Sequence, residues 1–185
     1  MKPKNGMKQL AVFMICFNCI FLPCLILILS GKVTLEVRGF AVDRSDRLYV
    51  GNAKEISVFE NGAKIQSIDP HTSRSYIFTI NAENRVLLST SRTVYTMDLD
   101  GSILYSEPDR GADTYNQLSY KKRIFTSSAG DTYRLRNILG YLLIVKNGSQ
   151  VVWSMGFLSY IVMVAIGCCG IGMVIFIPWF ISRQI

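Results

Sequence analysis

The sequence predicts a mainly β chain with an apolar helix at each end. Three observations carry this. Short segments of alternating apolar and polar residues recur through the middle of the chain, separated by turn residues. Asn61-Gly62, Asp100-Gly101 and Asn147-Gly148 supply the residues that tight hairpin turns demand. Two uncharged runs, Leu10 to Leu29 and Met155 to Ile181, flank that middle region.

Composition narrows the function classes. The 185 residues carry a formal net charge of +7, but Lys2, Lys4, Lys8 and Arg183 lie outside the apolar runs. The region from Gly31 to Trp153 holds 16 basic and all 13 acidic residues. A balance so even gives no basic face for nucleic acid. All five cysteines (Cys16, Cys19, Cys24, Cys168, Cys169) fall within the apolar runs, so the middle region has neither a disulfide framework nor a cysteine-ligated metal. Cys16-x-x-Cys19 has redox spacing, but inside a hydrocarbon-length stretch cysteine reads as a small hydrophobe.

Taken in order, residues 1–9 form a short basic tail and residues 10–30 the first transmembrane helix. Twenty residues at 1.5 Å each span about 30 Å, the thickness of a bilayer core. The run is longer than the apolar core of a signal peptide, and large Ile28 and Leu29 stand where a peptidase prefers small residues. It is therefore read as a retained signal-anchor, with Pro23 expected to kink it. Residues 154–181 form the second helix, with Trp153 and Trp179 as interfacial aromatics and a short tail at 182–185. Ala165, Cys168, Cys169 and Gly172 place small residues four apart, a spacing that lets another helix approach closely. The lysines of the first tail stay cytoplasmic by the positive-inside rule, two spans return the second tail to that side, and the β domain faces outward.

The middle region, residues 31–153, reads as repeats. A shift of 38 lays Phe40-Ala41-Val42-Asp43 on Phe78-Thr79-Ile80-Asn81, and Arg47-Leu48-Tyr49-Val50 on Arg85-Val86-Leu87-Leu88. A further shift of 47 lays Ile77-Phe78-Thr79 on Ile124-Phe125-Thr126, Leu88 on Leu135 and Gly101 on Gly148. A period near 40 with about four short strands is the pattern of propeller blades, here at about 38–75, 76–110 and 120–153. No helical periodicity interrupts these repeats, and Ile138 to Val145 reads as one buried strand. The first copy, Phe40-Ala41-Val42-Asp43 through Tyr49-Val50-Gly51 and Ile56-Ser57-Val58-Phe59 to Asn61-Gly62, resembles an NHL-type β-propeller repeat. That resemblance implies a strand-and-turn scaffold of a kind that mostly binds proteins, peptides, sugars or RNA. Propellers close with four to eight blades. Three blades call for a second chain completing a six-bladed ring, another subunit supplying blades, or an open arc or barrel. A homo-oligomer or a complex with another membrane subunit is the preferred expectation.

Candidate sites are few. The insertion Ser106 to Arg123 reads as a long loop, and Tyr115, Tyr120, Lys121, Lys122 and Arg123 on it are the binding-loop candidates. Asp98, Asp100, Asp109 and Asp113 lack the ligand spacing of a calcium loop and serve turns better. His71, the single histidine, reads as an exposed loop residue. No nucleophile, acid–base pair or metal cluster stands out, and no cofactor is implied. The expected function is a membrane-anchored, extracytoplasmic binding or interaction module, including an accessory subunit of a membrane complex. The alternatives are a membrane-bound enzyme or a two-helix sensor using a completed propeller face.

Overall fold

The computed structural model describes residues 4–30, 32–33, 35–72, 75–121 and 123–182. In chain order, helix α1 (Lys4–Leu29) is followed by strands β1 (Gly39–Val42), β2 (Leu48–Gly51), β3 (Ile56–Glu60) and β4 (Ala63–Ile68). Then come β5 (Tyr76–Ile80), β6 (Val86–Thr90), β7 (Thr93–Met97) and β8 (Ile103–Pro108). Helix α2 (Gly111–Lys121) leads to β9 (Ile124–Thr126), β10 (Thr132–Ile138), β11 (Tyr141–Lys146) and β12 (Gln150–Ser154), and α3 (Phe157–Ser182) ends the series. The strands form three four-stranded antiparallel meanders: sheet 1 from β1–β4, sheet 2 from β5–β8 and sheet 3 from β9–β12. The architecture is mainly β and propeller-like, with a long apolar helix before and after it.

The chain divides into two compact units. In the helical unit, α1 and α3 pack side by side and antiparallel. Phe13 stacks on Phe176 at 4.0 Å between ring centroids, while Cys24 and Val162 pack together near the other end. Among the described residues, Lys8–Leu29 and Phe157–Ser182 are long and apolar enough to cross a membrane. Pro23 and Pro178 lie within the two helices.

In the β unit, sheet 1 is the middle layer. Ala41, Tyr49, Ile56, Val58 and Ile68 face sheet 2 and pack on Tyr76, Phe78, Val86, Leu88 and Met97. The alternate residues Phe40, Val42, Leu48 and Val50 pack on Tyr133 and Ile144 of sheet 3. Period-2 alternation therefore buries both faces of sheet 1, each side chain contributing about 1.5–3 kcal/mol by leaving water. Gly51 permits the close approach of sheet 2, since a Cβ there would lie 2.6 Å from the Phe78 ring.

The first turn of each sheet repeats one hydrogen-bond pattern. Asp43 Oδ1 accepts from the Ser45 and Arg47 amides at 2.9 Å, Asn81 Oδ1 from Arg85 N at 2.9 Å, and Ser127 Oγ from Asp131 N at 3.2 Å. The fourth turn residue has positive φ each time: Asp46 at 61°, Asn84 at 62° and Gly130 at 86°. These equivalences put the second repeat interval at 46 rather than 47, because Ser127 occupies the place of Asn81. Tyr133 then falls on Tyr49, and the third copy is a closer relative of the first than the 47-residue shift implies.

Four other expectations change. The insertion is not a loop throughout: β8 runs to Pro108 and α2 occupies Gly111–Lys121. Its inward residues Thr114, Tyr115, Leu118 and Ser119 follow helical spacing but include a single strongly apolar side chain, so the period is faint in the sequence. Ile138 to Val145 is not one strand, since Leu139 and Gly140 take φ of 51° and 87° and turn β10 into β11. Asp100-Gly101 belongs to a longer turn, with Gly101 N donating to Asp98 O at 3.0 Å and only the glycine at positive φ. Trp153 lies in β12 and packs on the cluster shared by sheets 1 and 3, and Met155 N donates to Leu142 O at 2.9 Å, so α3 begins only at Phe157.

Helix α2 covers the face of sheet 2 that points away from sheet 1. It packs on β5, β6 and β7, and Ser89 Oγ donates to Gly111 O at 2.9 Å. Ile77, Ser89, Val94 and Thr96, which alternate with the residues facing sheet 1, are buried there. The layers thus run sheet 3, sheet 1, sheet 2, α2.

Candidate binding cleft

A cleft of about 420 Å³ opens where sheet 3 meets the turns of sheet 1. Leu48, Phe59 and Val152 give it apolar walls, and Asp46, Asn61, Gln150 and Lys146 its polar rim. Each position follows from local structure. Asp46 holds the left-handed position of the β1–β2 turn, which Asp tolerates because its short side chain bonds locally. Asn61 and Gly62 form the β3–β4 turn with φ of 50° and 80°. Tyr133 and Lys146 are register partners on neighbouring strands.

The polar groups form one network. Tyr133 Oη donates to Asp46 Oδ1 at 2.6 Å, and Lys146 Nζ lies 3.3 Å from Asp46 Oδ2 and 2.8 Å from Asp131 Oδ2. Asn147 Nδ2 donates to Asp131 Oδ1 at 2.7 Å, and the Lys146 ammonium sits 5.4 Å from the Tyr133 ring centroid. The hydrogen bond from Lys146 holds the Asp131 carboxyl below its ordinary value, and Asp131 in turn holds the Lys146 ammonium above its own. Burial, then the bond to Asp46, pushes the Tyr133 phenol up. Lys146 is consequently a fixed cation between two carboxylates, and the network carries a net charge of −1. Such a site can accept hydrogen bonds from a polar or cationic ligand while covering its apolar part. It holds no nucleophile beside a free base.

The turn of sheet 1 also reaches the other way. Arg44 N donates to Asn84 Oδ1 at 3.1 Å, and its guanidinium to Ala82 O. Behind the turn, buried Asp43 accepts from Arg47 Nε at 2.7 Å and Tyr49 Oη at 3.2 Å. One five-residue segment therefore touches both neighbouring sheets.

The residues singled out from sequence lie elsewhere. Tyr115 is half-buried on α2 with its hydroxyl 3.3 Å from Ser75 Oγ. Arg123 is exposed, and its carbonyl accepts from Leu135 N at 2.9 Å. The side chains of Tyr120 and Lys121, and Lys122 altogether, lie outside the described residues. In the helical unit Ala165 packs on the Cys24–Val162 cluster, Cys169 and Gly172 are half-buried, and Cys168 is exposed. Exposed His71 borders a shallow, open groove with Asp69, Asp100, Ser102 and Ile103. Among the described residues no three His, Cys, Asp or Glu side chains converge as metal ligands do.

No family model and no curated protein matches this chain. Among solved structures it is similar to a protein of unknown function from Bacteroides caccae, at 10% identity and a TM-score of 0.33 over 64% of this chain. It is also similar to streptogramin B lyase (9% identity, TM-score 0.37, 65% of this chain) and to virginiamycin B lyase from Staphylococcus aureus (9%, 0.35, 61%). The matched part spans 45%, 40% and 39% of those three chains respectively, so this chain matches less than half the length of each.

Proposed function

We propose that this chain is a membrane-anchored, extracytoplasmic binding module built from NHL-type repeats. In this reading the cleft between sheets 1 and 3 takes a small polar or cationic ligand, and the module works beside another copy or another membrane subunit. The cleft is the observation that carries the reading. It is concave, mixes apolar walls with convergent polar groups, and falls within the volume range of small-ligand sites. The two apolar helices supply the anchorage, and the lysines at 2, 4 and 8 favour a cytoplasmic first tail.

A thermal-shift screen of the detergent-solubilised chain against sugars, short peptides and amines tests the cleft. The expected result is a ligand whose shift disappears in Asp46→Gly and Gln150→Ala. Binding indifferent to both changes would move the function off this cleft, and turnover of a small substrate would favour an enzyme. Affinity capture from membranes with mass spectrometry tests the partner, a stoichiometric second membrane protein marking an accessory subunit.

A further inference from the structure

The β10–β11 turn departs from the chemistry of its counterparts. Asn61-Gly62 and Asn147-Gly148 have φ of 50°/80° and 49°/84°, and Leu139-Gly140 has 51°/87°. The backbone is the same, yet the first position holds leucine, which gains no local hydrogen bond to offset the left-handed conformation. Leu139 is 89% exposed and the neighbouring Ile138 is 55% exposed, so core packing accounts for neither.

Strand pairing shows which end of sheet 3 this tip marks. Leu143 pairs with Ser154, and Met155 N bonds to Leu142 O. The chain thus leaves the sheet alongside the residues that follow the turn. Gly156 alone separates Met155 from Phe157, the first residue of α3. If α3 crosses a bilayer, its first turn lies at the lipid–water boundary; the β10–β11 turn and the point where the chain leaves for α3 are at the same end of sheet 3. From Thr132 to Tyr141 the hairpin has two basic residues, Arg134 and Arg136, and no carboxylate to oppose anionic headgroups.

We infer that Ile138 and Leu139 insert into the interfacial layer of the bilayer, making the β10–β11 hairpin a third point of membrane contact. Two large apolar side chains exposed side by side at a hairpin tip are unfavourable in water and favourable among acyl chains. The inference rests on the reading of α3 as a membrane span.

The test uses the full chain in liposomes of phosphatidylcholine and phosphatidylglycerol containing lipids brominated near the headgroup. Native Trp153 and Trp179 provide the baseline, and Trp179→Phe isolates the contribution of the span. Leu139→Trp is expected to add emission that bromolipid quenches as it quenches Trp179, whereas Ile65→Trp, on exposed β4, adds emission that is not quenched. Should Leu139→Trp fail to fold, Ile138→Trp carries the same expectation. Quenched Trp179 with unquenched tryptophan at the tip overturns the inference and leaves the span intact, as would happen if a protein covers the tip in the native membrane. Unquenched Trp179 overturns the span and the inference together.

Discussion

Two aspartates three residues apart do different work in the first turn. Asp43 is buried and gathers two backbone amides, the Arg47 guanidinium and the Tyr49 hydroxyl. Burial and the Asp43 carboxylate push the Tyr49 phenol up, so it stays a donor. Asp43→Ala strands these donors and should destabilise the β unit by about 2–4 kcal/mol, read from urea unfolding in detergent. Asp43→Asn, which keeps an acceptor oxygen, should cost less. Asp46 behaves otherwise, because its strained backbone and its two bonds to sheet 3 oppose each other. Asp46→Gly relieves the positive φ while losing the Tyr133 and Lys146 contacts, terms of about 1 kcal/mol each. Its melting temperature should therefore fall less than that of Asp43→Ala while ligand affinity falls, because the relieved φ offsets part of the two lost contacts.

At the scale of elements, α2 depends on Gly111. A Cβ there would lie 2.4 Å from Thr90 O and from the Arg92 carbonyl carbon, both backbone atoms that cannot swing aside. Gly111→Ala should lift the start of the helix and cost about 1–3 kcal/mol. Hydrogen exchange should then quicken in α2, β6 and β7 while sheet 1 is little affected. The same elements show what a sequence can carry. Strands of sheets 1 and 2 were legible because alternation and the 38-residue shift agree residue by residue, and the apolar helices because they have no charge. Helix α2 was not, since its inward face relies on Thr114, Tyr115 and Ser119, whose polar groups mask the period. The β10–β11 turn hid inside an apolar run because leucine stands where turn chemistry calls for Asn. The cleft was the least legible feature. Its walls come from sheets whose partners Asp46 and Tyr133 are 87 residues apart, and matches at a 47-residue shift mask the 46-residue interval that lays Tyr133 in the place of Tyr49.

For the whole molecule, acid sensitivity follows from carboxylates shared between elements. Burial alone would raise the Glu55 carboxyl, but hydrogen bonds from Lys64, Ser57 and Ser67 outweigh it and hold the group below its ordinary value. Asp131, bonded by Lys146, is likewise held low. A carboxyl lowered in the folded state contributes stability that is full above its unfolded value, about 3.9–4.3, and is lost as pH falls through the folded value. The unfolding midpoint of the β unit should hold steady from pH 7 to about 5 and fall below about 4, with Asp131→Asn and Glu55→Gln each flattening the decline. The order of layers has a consequence for biogenesis. Sheet 1 emerges from the ribosome before both of its neighbours, and sheet 3, which covers Phe40, Val42, Leu48 and Val50, emerges last. An incomplete chain shows that apolar face to every chaperone and protease it meets, whereas a finished chain folds back and hides it. The last sheet synthesised thus closes an apolar face that sheet 1 leaves open until then.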